Sequence, residues 1–230
     1  LHIGVYLLPL RHPVTVARSL VTLDQLAPGR VVFGVGIGGE DRHEVEVCGV
    51  DPRTRGRRCD ASLEIVCALL SGDTVTHRDE FFDLTDCRIR PTPATPIPIL
   101  VGGKGDRMIA LAARHADEWN MWGLPDVIAE RSAVLDRGCE AIGRDPASVG
   151  RSTQALLLPT EDDARARRFT DAVAPRAAVA GSADRIADTV AHWAEVGVGE
   201  VIVPDSPLGR GSERRDHLDA LAEVFAPFRG

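Results

Sequence analysis

An α/β fold built on a parallel sheet is predicted for this 230-residue sequence. Three observations predict it. Short apolar runs alternate with amphipathic, helix-like runs along the chain. The connections between them are short. No Pro-, Gly- or Ser-rich linker divides the chain, so a single domain over 1–230 is expected. A series of this kind means helices packed outside a parallel sheet, either doubly wound or closed as a (β/α)8 barrel.

The elements follow in order. His2–Leu7 has the pattern of a strand. Pro13–Leu26 places proline at a helix start, and its apolar spacing suits a helix. Val31–Val35 is a second strand. Cys59–Leu70 aligns Leu63, Val66, Cys67 and Leu70 on one helical stripe. Pro98–Val101 is a third strand, Arg107–His115 a helix, Glu118–Trp122 a fourth strand and Pro125–Ile142 a longer helix. Thr153–Leu158 is a fifth strand, and Asp162–Val173 a helix. Ser182 caps a helix reaching about Val196, with Asp184 and Asp188 near its start. Glu200–Val203 is the sixth strand, and Arg214–Phe225 closes the chain. Two segments break the rhythm as insertions. Residues 40–58 are polar and charged, and 74–97 hold a small hairpin around "THRDEFFDL" followed by a Pro-rich run.

Composition excludes several functions. The net charge of −7 argues against a nucleic-acid footprint. No apolar run is long enough to span a bilayer, and the N-terminus carries no basic-then-apolar signal pattern. The five cysteines, Cys48, Cys59, Cys67, Cys87 and Cys139, are widely spaced, with no CxxC and no zinc spacing. Reduced thiols in a cytoplasmic protein without a metal are expected.

Two glycine-rich strand ends carry the candidate chemistry. In "VVFGVGIGGEDRHE", Gly34, Gly36 and Gly39 satisfy G-x-G-x-x-G. A Rossmann pyrophosphate site is opposed by the acids Glu40 and Asp41 that follow. Two readings stay open: backbone approaching a flat ligand along Gly36, Gly38 and Glu40, or glycines required for packing alone. Glu40 and His43 are the acid–base candidates, although a loop histidine is more commonly just solvated. His12 is placed to cap or position the helix that starts at Pro13. In "IPILVGGKGDRM", Pro98 and Gly105 exclude a Walker A loop. Gly102 and Gly103 instead bare backbone N–H groups before a helix N-terminus, and Lys104 adds a charge suited to one phosphate. Lys104 is the sole lysine among 27 basic residues. A tight turn with an exposed lysine is the competing reading. Gly4-Val5 in "HIGVYLLPLRHP" is placed for a kinked peptide beside a ligand, or is an ordinary strand glycine.

These stretches resemble the luciferase-like monooxygenase superfamily. "LDQLAPGR", "GVGIG", "PILVGG" and "ADEWN" together resemble its third to sixth β/α units, and "AGSADRIADTVAHWAEVGVGEVIV" resembles the approach to its eighth strand. The resemblance implies a (β/α)8 TIM barrel that begins here at the third unit and is thus truncated to about six strands. It implies an oxidoreductase that binds the reduced deazaflavin coenzyme F420, with hydride transfer to or from a small organic substrate. FMN is the alternative, in a monooxygenase using O2 and fed by a separate reductase; an inactive flavin-binding fragment is the third reading. By position, Gly4 and Val5 match a non-proline cis peptide under the ring. Gly36, Gly38 and Glu40 line the cofactor, Gly102, Gly103 and Lys104 form a phosphate loop, and Asn120 ends a strand beside it. A homodimer is implied, and the substrate is not readable.

Overall fold

The computed structural model describes residues 1–38 and 41–228, so Gly39 and Glu40 lie outside the described residues. The chain divides into two compact units, Leu1–Trp119 with Gly138–Val149, and Asn120–Arg137 with Gly150–Gly230.

In the first unit, β1 (Tyr6–Leu7) leads to α1 (Pro13–Leu26), β2 (Phe33–Gly36), α2 (Arg42–Val47) and α3 (Arg55–Ser71). A hairpin of β3 (Val75–Arg78) and β4 (Asp83–Cys87) follows, then β5 (Ile99–Gly102), α4 (Asp106–His115) and the start of β6 (Glu118–Trp122). β1 pairs parallel with β2 and β2 with β5, in the registers Leu7↔Gly36 and Val35↔Val101. All four β2 residues and the first three of β5 are buried, as expected of parallel strands covered on both faces.

Beside these strands, Ala17 and Val21 of α1 meet Ala61, Ile65 and Leu69 of α3, with Phe82 and Ile89 completing the cluster. Phe82 reaches it because the Asp79 carboxylate accepts from the N–H groups of Phe81 and Phe82, each at 2.7 Å, and folds the hairpin tip inward. Arg58 lies over the Phe82 ring at 4.7 Å and donates from Nε to the Pro9 carbonyl at 2.8 Å. Burying one such ring contributes about 1.5–3 kcal/mol. His12 stands at the N-cap position of α1 but makes no capping hydrogen bond. Its ring meets Phe82 edge-on at 5.6 Å, so it positions the hairpin rather than capping the helix. Asp24 is 1% exposed, and its two oxygens accept from Gly29 N at 3.1 Å and Ala94 N at 3.0 Å. Two charge-assisted bonds offset the desolvation of that carboxylate.

The second unit takes the end of β6 and most of α5 (Pro125–Glu140), then β7 (Gly150–Gln154), β8 (Leu156–Pro159) and α6 (Asp163–Val173). It continues with β9 (Ala178–Gly181), α7 (Ala183–Glu195), β10 (Glu200–Ile202) and α8 (Gly211–Phe225). β7 pairs parallel with β10, and β8 separately with β9. Asp162 caps α6 by accepting from Ala164 N and Arg165 N, and Ser182 caps α7 through Arg185 N as the sequence predicts. Trp193 is fully buried and donates to the Gly123 carbonyl at 3.1 Å.

Four expectations are corrected. The strand expected over Thr153–Leu158 is two strands, β7 and β8, interrupted at Ala155. β9 was not foreseen. The polar insertion expected over 40–58 holds regular structure within its described residues, α2 and the first turn of α3. The strand expected over His2–Leu7 reduces to an isolated His2–Val32 bridge and β1. Among the described residues, no helix is long and apolar enough to cross a membrane.

Candidate functional site

The glycines at the two strand ends are placed by different physics. At the first, Val5 is the hub. It follows a cis Gly4–Val5 peptide, as the resemblance implies. That peptide lies ahead of β1 rather than at a strand end. The Val5 side chain occupies the place a Cβ would need at Gly36, and its Cγ1 lies 2.8 Å from a Cβ built on Gly102. A Cβ on Gly34 would run into the Ile3 carbonyl. Gly34, Gly36 and Gly102 are therefore required by packing within the protein, which is the packing reading of the GxG pattern. Gly38 lies beside Leu7, 3.3 Å from the position its own Cβ would take.

The second strand end opens outward. Gly103 holds φ +140, a conformation that favours glycine. Its carbonyl accepts the indole N–H of Trp119 at 2.9 Å. Lys104 is exposed and makes no hydrogen bond or ion pair among the described residues. Gly105 then takes the N-cap position of α4 without a side-chain cap. The helix thus presents its first N–H groups and its positive dipole end beside Lys104. Asp106 in the first turn is the opposing charge. Arg107 is turned away, its guanidinium bonded to the Asp60 carboxylate.

The remaining candidates are placed as follows. Glu40 lies outside the described residues. His43 is exposed on α2, where its backbone N–H donates to Asp41 at 2.8 Å. Asn120 is 3% exposed and donates from Nδ2 to Ser152 Oγ at 2.7 Å within the second unit. Gly4, Val5, Gly36 and Gly102 are brought together, with Gly103 and Lys104 continuing from them. Sequence reasoning missed Trp119, although a buried indole N–H needs an acceptor and the nearest glycine-rich loop is a ready source. Neither Cys59 nor Cys67 of α3 is a poised nucleophile. Burial pushes the Cys59 thiol up to about 12 and that of Cys67 to about 11.

A family model described as "Luciferase-like monooxygenase" matches residues 1–174. The chain belongs to this family. A relative, the F420-dependent hydroxymycolic acid dehydrogenase of Mycobacterium tuberculosis, is 31% identical over 69% of this luciferase-like chain and 46% of its own length. Limonene 1,2-monooxygenase of Rhodococcus erythropolis is also 31% identical, over 60% of the chain and 40% of its own. The chain thus spans about half the length of the curated relatives it matches. A solved F420-dependent secondary alcohol dehydrogenase, in complex with an F420-acetone adduct, superposes with TM-score 0.80 at 21% identity. It covers 100% of this chain and 79% of that one. This likeness shows the luciferase-like TIM-barrel fold that the resemblance implies and that the β/α alternation left open beside a doubly wound sheet.

Proposed function

We propose that this luciferase-like chain holds the reduced deazaflavin coenzyme F420 for hydride transfer to or from a small organic substrate. One observation carries the reading: an unpartnered lysine on a glycine loop beside an uncapped helix N-terminus. Gly102, Gly103 and Lys104 with the first amides of α4 fit a single phosphoryl group, the geometry expected of an anion site at a helix start. The relative and the solved structure described as F420-dependent favour the deazaflavin over FMN. When bound, that cofactor would carry the hydride, donating it when reduced and accepting it when oxidised. The chain's own residues hold its phosphate, and Val5 fixes the spacing of β2 and β5 next to it.

The monooxygenase among the relatives supports a second reading, in which FMN is the cofactor and a reductase delivers it reduced. A homodimer and a small-molecule substrate belong to both readings. Fluorescence titration with F420 and with FMN separates them. F420 is expected to bind more tightly, and FMN binding with no F420 affinity overturns the choice. Lys104→Ala is expected to weaken binding of the favoured cofactor several-fold. Unchanged affinity makes Lys104 a bystander and removes the observation on which the proposal stands.

A further inference from the structure

We infer that Trp119 is a positioning residue for the anion cradle, acting through the Gly103–Lys104 peptide. The inference rests on the phosphate reading of the loop. Trp119 is fully buried in β6, and the only polar atom of its side chain, Nε1, donates to the Gly103 carbonyl at 2.9 Å. That peptide is trans. In a trans peptide the C=O and the following N–H point in opposite directions. Holding the Gly103 carbonyl against the buried indole therefore turns the Lys104 N–H the other way, toward the open side of the loop. The Lys104 N–H has no acceptor among the described residues.

Glycine at 103 makes this arrangement both possible and fragile. With φ at +140 and no Cβ, the residue is free to rotate its peptide unless something holds it. Contacts on its other side are with Met108 carbons, 3.1 Å from where a Cβ would lie. These are apolar and do not select a carbonyl direction. The indole bond is the one directional constraint on the Gly103 carbonyl among the described residues. Trp119 thus stands behind the loop, makes no contact with the anion, and fixes which way one of its donors faces.

The test removes the donor and keeps the shape. Trp119 is replaced by 3-benzothienylalanine, in which sulfur takes the place of the indole N–H, and Trp119→Phe serves as a genetically simple second variant. Dissociation constants are measured for F420 and for its phosphate-free deazaflavin core, and in parallel for FMN and riboflavin. The dissociation constant of the core divided by that of the phosphorylated ligand isolates the phosphate contribution. The donor-free variant is expected to lower that ratio about three- to tenfold, the worth of one oriented hydrogen bond. Affinity for the phosphate-free core should stay unchanged. A ratio unaltered by loss of the indole N–H but lowered by Lys104→Ala overturns the role of Trp119 and leaves the phosphate reading standing. Equal weakening of both ligand forms also overturns it, because Trp119 then serves only the strand's packing. A ratio near one in the unaltered protein overturns both the reading and this inference.

Discussion

The two glycine-rich strand ends of the first unit differ in what surrounds them. At the end of β2, protein atoms occupy the space a side chain would take, supplied by Ile3 and Val5. At Gly105, the last glycine of the loop after β5, a Cβ would meet nothing within 4 Å. Gly34, Gly36 and Gly102 are explained by neighbouring atoms, whereas Gly105 stands at a bare turn with a lysine beside it. A glycine motif alone does not distinguish the two. What separates them is the identity of the atoms a Cβ would strike.

The comparison breaks most easily at Gly34. Gly34→Ala drives a methyl group into the Ile3 carbonyl, a backbone atom that cannot rotate aside. The expected loss is at least about 3 kcal/mol in urea unfolding, or failure to accumulate folded protein. Gly102→Ala meets the Val5 side chain instead and should cost about 1–3 kcal/mol. Combining it with Val5→Ala should restore part of that loss, so a double-mutant cycle showing no coupling would refute Val5 as the reason for the glycine. Gly105→Asp sharpens the contrast with the smallest change. It places a capping carboxylate at the open N-cap and should raise stability by a few tenths of a kcal/mol. Cofactor affinity should fall, because the new acid competes for the amides offered to the phosphate. Tighter binding in this variant would contradict an anion site at the start of α4.

The features legible in the sequence were those with local causes. Pro13–Leu26 and Glu118–Trp122 were read to the residue because a proline start or an apolar run marks each boundary. The first turn of α3 escaped notice because "RGRR" has no apolar spacing; the buried stripe begins only at Cys59. β9 escaped because "AVAG" consists mostly of small residues without strand character. At the site, the glycines and the lysine of the proposed phosphate loop stand next to one another in the order of residues. The role of Val5 was not, since it depends on which strands become neighbours across about 30 and 100 residues of chain, a pairing that periodicity does not report. The Trp119–Gly103 bond is hidden for the same reason.

Asp24 has a consequence for how the first unit opens. Its carboxylate clips the turn after α1 to the Pro-rich segment before β5, which lies 70 residues further along the chain. Neither amide can be released without stranding a buried charge. Hydrogen exchange at Gly29 and at Ala94 should therefore proceed in step, as one cooperative opening rather than two separate frayings.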